Sequence, residues 1–258
     1  YSRHHIAVSP IASYKGALQR DDWYTSERNP AQLADAGAVG RYAGQRALSR
    51  LNARKIPTGK YPVVFEAPLA SGLIGSLVQA ASGGALYRDS SFLKGSLGKV
   101  VMNTALHIDE DPHVRGAVGS AYFDDEGTPT VARAIVDKGV LQTYFLSTYS
   151  ARKLGMRSTG HAGGSHNLVL RHDATQASDD LPALLKQMGT GLLVTELLGQ
   201  GVNYVSGDYS RGASGYWVQQ GVIQHAVEEI TIAGNMRDML MQIVAVGADT
   251  LTRGTKTT

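Results

Sequence analysis

Glycine placement constrains this chain more than any other feature. Thirty of its 258 residues are glycine, and they fall mainly at turns between short apolar runs. Such punctuation favours many short strands joined by tight connections. TVARAIVDKGVLQTYFLS (130–147) alternates on both sides of Asp137-Lys138-Gly139, and SGYWVQQGVIQHAVEEITI (214–232) repeats the device around Gln220-Gly221. Both are hairpin signatures, because the central positions of a primed turn need positive φ. YPVVFEA (61–67) reads as a short apolar strand. In AVEEITI, strand alternation sends one of Glu228 and Glu229 outward and the other to the opposite face.

Helical spacing interrupts the strands. ASGLIGSLVQAASGG (70–84) places Leu73, Ile74, Leu77 and Val78 together, and DDLPALLKQMG carries Asp179 or Asp180 as a cap, Pro182 in the first turn and Gly189 as its stop. NMRDMLMQIVAVG (235–247) predicts a helix with Met236, Leu240, Ile243 and Val244 on one face. Residues 20–52 read as a loop followed by the helix AGAVGRYAGQRALSRL. No regular βαβ rhythm appears, so the expected fold class is α+β, a mostly antiparallel β-sheet with flanking helices. Residues 1–58 are expected to end a preceding domain with a linking helix, and 59–258 to form a C-terminal β-rich domain. Both chain ends read as cut or disordered edges of a longer protein.

Composition narrows the function classes. A net charge of +3 with scattered basic residues makes nucleic acid an unlikely partner. The absence of cysteine excludes thiolate nucleophiles and Cys-ligated zinc within this sequence. No apolar run approaches the roughly 20 residues of a membrane span, so no membrane association is expected, and the cytoplasm is the default location.

TGHAGGSHN (159–167) poses the metal question, since neutral imidazole is a common zinc ligand. His161 and His166 have no clustered acid beside them and are expected to serve structural or binding roles, with Gly160, Gly163 and Gly164 permitting positive φ and close approach of another chain. HIDEDPH (107–113) is the most ligand-like cluster, yet its expected state is a solvated, turn-rich loop. In GDYSRGASG, Asp208, Ser210 and Arg211 lack both the GxSxG elbow of a serine hydrolase and the GxxxxGK of a phosphate loop. Asp208 and Arg211 are expected to pair or to bind a neighbouring chain. Glu196, alone in LLVTELLG, is expected to be buried and paired.

TGHAGGSHN, GTGLLVTELLGQGVNYVSGDYSRGASGYWV and VEEITIAGNM, with QRDDWYT (19–25), YRDSSFLKGSLG (87–98) and VAVGADTLTR (244–253), carry a resemblance. Over essentially its whole length the chain resembles the TldD/PmbA family, and closely its PmbA (TldE) branch, historically labelled a modulator of DNA gyrase. The resemblance implies a heteromeric metalloprotease that matures peptide-antibiotic precursors and degrades unfolded polypeptides. One subunit, TldD, carries a metal-binding HExxxH motif; the PmbA subunit is its partner.

At the positions implied for HExxxH stand Ile74, Gly75, Ser76, Leu77, Val78 and Gln79, and Glu66 is the only acid in 61–87, where no histidine occurs. A zinc hydrolase needs about three protein ligands, an open position and a general base. The expectation is a non-catalytic subunit that binds no metal or other cofactor, with a metal, expected to be zinc, held by the TldD-like partner. Its partners would be that subunit and unfolded peptide, in a homo- or hetero-oligomer, with Gly160, His161, Gly163, Gly164, His166, Asp208 and Arg211 as contact candidates. The alternatives are an autonomous metallohydrolase using a set such as His107, His113 and His161, and a regulator of DNA gyrase, which the charge pattern does not support.

Overall fold

A computed structural model describes residues 2–258. The chain opens with β1 (His4–Val8), β2 (Ile11–Tyr14), β3 (Ala17–Arg20) and β4 (Trp23–Glu27), paired antiparallel as β1 with β4 and β2 with β3. The end of β3 and all of β4 lie within 20–52, where a loop before the helix was expected; these strands are too short for alternation to show. Helix α1 (Ala36–Ser49) follows, capped by the Asp35 carboxylate on Ala38 N, and buries Val39, Ala43 and Ala47 at i, i+4, i+8. Next come β5 (Val63–Phe65), α2 (Ala67–Ala80) and α3 (Gly83–Tyr87). Helix α2 begins three residues before the 70–84 stretch read as helical, because Pro68 in the first turn can open a helix without losing a hydrogen bond.

The remaining elements are β6 (Leu106–Asp111), β7 (Arg133–Asp137), β8 (Val140–Leu141), α4 (Thr148–Lys153), β9 (Asn167–His172), α5 (Leu181–Met188), β10 (Gly191–Leu198), β11 (Asp208–Gln219), β12 (Val222–Asn235), α6 (Met236–Met241), β13 (Thr252–Arg253) and β14 (Lys256–Thr257). Both expected hairpins form, with φ of 47° and 73° at Lys138 and Gly139 and of 53° and 76° at Gln220 and Gly221. Asp180 caps α5 and Gly189, at φ 72°, ends it.

Two larger sheets organise the molecule. One runs β12-β11-β10-β5 and the other β13-β14-β9-β6-β7-β8; only β10–β5 and β14–β9 are parallel. The fold is α+β with mostly antiparallel sheet, as expected. Along β10, Leu192 and Val194 join one apolar cluster while Leu193 joins another with Leu185 of α5, so this sheet is covered on both faces. The largest core packs Ile74 and Leu77 of α2 with Leu106, Ile108, Leu141, Leu168, Met236 and Leu240.

Two expectations fail here. The helix expected over 235–247 stops at Met241, and Val244 is 69% exposed. Thr175 Oγ1 donates to Val246 O at 2.9 Å and Ala248 N to Asp179 O at 2.8 Å, so contacts with the 175–179 segment replace the helical ladder in this β-branched, glycine-ended stretch. Glu228 and Glu229 do not simply alternate. The β11–β12 register shifts there and Glu229 has φ 54°, which marks a bulge; Glu228 accepts from Gln19 and Glu229 pairs with Lys55.

Candidate functional site

Residues 74–79 occupy the C-terminal half of α2. Ile74 and Leu77 are buried in the main core, and the Ser76 hydroxyl donates to Gly72 O at 3.1 Å. A Cβ at Gly75 would lie 3.6 Å from Lys256 Cε and 3.9 Å from its Nζ, so a lysine stem runs alongside this turn. Gly72, Gly75 and Ser76 form one wall of a cleft of about 300 Å³; Gln200, Gly201, Val202, Tyr204 and Arg211 form the other. A catalytic metal requires imidazole or carboxylate lone pairs. The cleft offers a hydroxyl, an amide, a phenol and a guanidinium, so its residues do not fit one. Among the described residues, no group of three histidine or acidic side chains is arranged to hold a metal ion.

Arg211 stands on β11, its Nη2 donating to Leu197 O at 3.4 Å. Tyr209 lies two residues away on the same strand face, fully buried. Burial pushes the Tyr209 phenol up from its ordinary value, and the neighbouring Arg211 opposes the shift through its charge and a hydrogen bond to the phenol. Asp208 does not pair with Arg211. Three positions apart on a strand, they point to opposite faces, and exposed Asp208 accepts instead from Ser206 Oγ at 2.6 Å and Asn235 Nδ2 at 3.2 Å.

The TGHAGGSHN stretch turns its histidines inward. Gly160, His161 and His166 are buried, while Gly163 and Gly164 are exposed. His161 Nε2 donates to Glu110 Oε2 at 2.7 Å, leaving Nδ1 to accept from Thr159 Oγ1 at 2.8 Å. Glu110 Oε1 accepts from His166 N at 2.7 Å, and the His166 ring nitrogens lie 3.1 Å from Gly119 O and Gly160 O. Thr159, His161 and Glu110 have the order of a hydroxyl, base and acid relay. The hydroxyl oxygen, however, also accepts from Leu146 N at 2.8 Å, and the His161 ring stands edge-on to Phe145 at 4.9 Å. With its side chain 1% exposed, His161 braces the loop.

Within HIDEDPH, His107–Asp111 belongs to a central strand and not to the solvated loop expected of it, while the turn is confined to its Pro112-His113 end. Leu106, Ile108 and Glu110 share the core face of β6, and its regular pairing with β9 puts His107 on the opposite face. His107 lies between Asp137, 2.9 Å from Nδ1, and Asp173, 3.0 Å from Nε2. His113 stacks on Tyr122 and lies 3.3 Å from Thr130 Oγ1. The proposed ligand set His107, His113 and His161 is therefore distributed over separate partners. Glu196 is paired, with Arg50 and at 4.0 Å with Arg20. Sequence reasoning missed Glu110, Tyr209 and Lys256. Glu110 was detectable as the polar member of the L-x-I-x-E face; Tyr209 and Lys256 gain their setting only from tertiary contacts.

Residues 58–258 match the model of the PmbA/TldA metallopeptidase C-terminal domain. The Haemophilus influenzae Metalloprotease PmbA homolog is 48% identical over 248 residues, covering 96% of this chain and 54% of that protein. The chain spans about half the length of the curated relatives it matches. A solved Bacteroides thetaiotaomicron structure labelled a modulator of DNA gyrase superposes with a TM-score of 0.92 at 31% identity, covering 98% of this chain and 57% of that one. TldE from Thermococcus kodakarensis, at 20% identity, shares the fold with a TM-score of 0.82 over 99% of this chain and 60% of its own. With a family match that takes in every element from β5 to β14, the chain belongs to the PmbA/TldD family, on its PmbA (TldE) branch.

Proposed function

We propose that this chain is a non-catalytic subunit of a TldD/TldE-type heteromeric metalloprotease, which helps form the chamber where a metal-bearing, TldD-like partner cleaves unfolded peptides in the cytoplasm. Peptide-antibiotic precursors and unfolded polypeptides are the substrates in this reading. Residues 1–58 then end a preceding domain, and 59–258 form the chamber-bearing one. The observation that carries it is the cleft beside α2. Where the family's metal ligands would stand, the helix presents Gly75, Ser76 and core-facing Ile74 and Leu77, and the side chains around it are cationic, Arg211 and Lys256. A cation beside the position of a metal ion disfavours metal binding by charge repulsion.

Of the expected peptide or partner contacts, Gly163, Gly164 and Asp208 are exposed and Arg211 borders the cleft. Gly160, His161 and His166 shape the loop from within. The test is co-purification of the full protein with a TldD-like partner, followed by a peptidase assay on each alone and on the mixture. Activity is expected from the mixture and not from this subunit alone. Chelator-sensitive peptide hydrolysis by this subunit alone would overturn the proposal.

A further inference from the structure

Arg211 differs from the other guanidinium groups of the interior. Arg46 has Glu66 and Asp21, and Arg50 has Asp21 and Glu196. Arg253 lies over the rings of Trp23 and Tyr24. Arg211 is half-buried and makes no ion pair among the described residues. Its buried strand neighbour Tyr209 shares a hydrogen bond with it and brings no charge to balance it. A guanidinium carries five N–H donors, and one at the edge of a cleft whose partners among the described residues are only Leu197 O and the Tyr209 phenol, with no carboxylate, keeps donors for an acceptor that comes from outside the chain.

The cleft supports that reading. It lacks acidic lining residues, and Lys256, also without an ion pair among the described residues, runs along Gly75 in its wall. Gly201 is required where it stands, because a Cβ there would collide with Ser210 O and with Arg211 Cγ; the 198–202 connection can therefore close directly on the arginine stem. That contact packs the stem and the Nη2 bond to Leu197 O holds one arm of the guanidinium, whose planar fork suits a bidentate carboxylate. The volume of about 300 Å³ is at the small end of ligand clefts and fits a chain terminus better than a through-running segment.

We propose that this cleft binds the free C-terminal carboxylate of a peptide, with Arg211 as its charged partner and the Gln200 amide as a neutral donor. The proposal rests on the peptidase-subunit reading for the peptide as source of the carboxylate. It is tested by calorimetric titration of the full protein with a ten-residue Gly/Ser/Ala peptide ending in a free acid, with the same peptide ending in an amide, and with inorganic phosphate. The acid is expected to bind about tenfold or more tightly than the amide, the range of one charge-assisted hydrogen bond. Arg211→Gln should erase the difference and Arg211→Lys retain part of it, with thermal melts confirming that both fold. The comparison of acid with amide on the unaltered protein stands without any variant. Equal binding of acid and amide, binding of neither, discrimination that survives Arg211→Gln, or displacement of the peptide by phosphate at equal concentration would each overturn the proposal. If the reconstituted complex still cleaves amidated peptides, only the carboxylate site has failed; if that complex never forms or cleaves, the subunit reading has failed instead.

Discussion

His161 Nε2 lies 2.7 Å from Glu110 Oε2, with side-chain exposures of 1% and 0%. The other carboxylate oxygen takes the backbone N–H of His166, so one acid on the core face of β6 holds both ends of the 161–166 loop. Glu110→Ala leaves two buried donors unpaired and opens a cavity, and is expected to cost about 2–5 kcal/mol. Glu110→Gln keeps shape and one acceptor and should cost about 1–2 kcal/mol. Urea unfolding measures both; an alanine variant as stable as the parent would mean that the loop is held by other contacts.

The adjacent glycines should respond differently to substitution. Gly163 has φ 98° and a Cβ there would strike the Asp125 carboxylate, whereas Gly164, at φ 117°, faces open space. Both alanine variants bear the backbone penalty of positive φ, about 1–2 kcal/mol. Gly163→Ala should lose roughly another 1–3 kcal/mol from the collision. Thermal melts of the two variants test the order, and equal losses would show that Asp125 swings aside freely.

Asp124 gives this region a pH dependence of defined sign. Burial raises its carboxyl pKa, but N–H donors from Ala162, Thr128 and Glu126 outweigh burial and hold it below the ordinary carboxylate value. A folded pKa below the unfolded one means that the native state binds fewer protons as the group titrates. Its stabilisation is therefore complete above the unfolded pKa of about 4 and disappears as pH falls through the lower folded value. Asp124→Asn should lie below the parent in stability at pH 7, with the gap closing toward pH 2. A gap that is constant from pH 7 to 2 contradicts the assignment.

Arg46 ties α1 to the start of α2. Its Nη1 and Nη2 reach Glu66 at 2.5 and 3.0 Å, its Nε lies 3.2 Å from Asp21, and its guanidinium sits 5.1 Å from the Trp23 ring centroid. Burial opposes its charge, yet bonding to Glu66 and the charges of Glu66 and Asp21 hold it protonated. Arg46→Ala strands the largely buried Glu66 and leaves Asp21 with Arg50 alone, and should cost about 3–5 kcal/mol. Arg46→Lys, without the planar fork, should recover only part of that loss. Full recovery by lysine in chemical denaturation would rule out a role for the bidentate geometry.

Local chemistry was legible in the sequence wherever it decided the structure alone. Lys138-Gly139 and Gln220-Gly221 turned their hairpins, and Asp180 and Gly189 bounded α5, because turn and cap preferences act over a few residues. The helix over 235–247 was misread because apolar periodicity does not register a competing tertiary contact, here those of Thr175 and Asp179 with the 246–248 backbone. HIDEDPH looked solvated because its acids suggested a turn; Glu110 is tolerated in the core only through His161 and the His166 N–H, which are more than 50 residues away. Likewise Arg211 stood out in its motif, but the absence of a carboxylate opposite it emerged only from the cleft that it lines with Gly72, Gly75 and Ser76 of α2.

The metal question closes on the same helix. Gly75 and Gln79 are one turn apart and share a side of α2, whereas Ile74 and Leu77 are committed to the core. The purified protein, dialysed against a weak chelator, is expected to hold far less than one zinc per chain by elemental analysis. His107→Ala and His161→Ala should leave that figure unchanged, since those rings already have Asp137, Asp173 and Glu110 as partners. Gly75→His with Gln79→His would build an i, i+4 imidazole pair, the spacing that binds zinc on a helix. Near Arg211 and Lys256 that pair should bind zinc weakly, and adding Arg211→Ala and Lys256→Ala should tighten binding by about tenfold or more through relief of repulsion. Stoichiometric zinc in the unaltered protein, lost on changing either native histidine, would return catalysis to this chain.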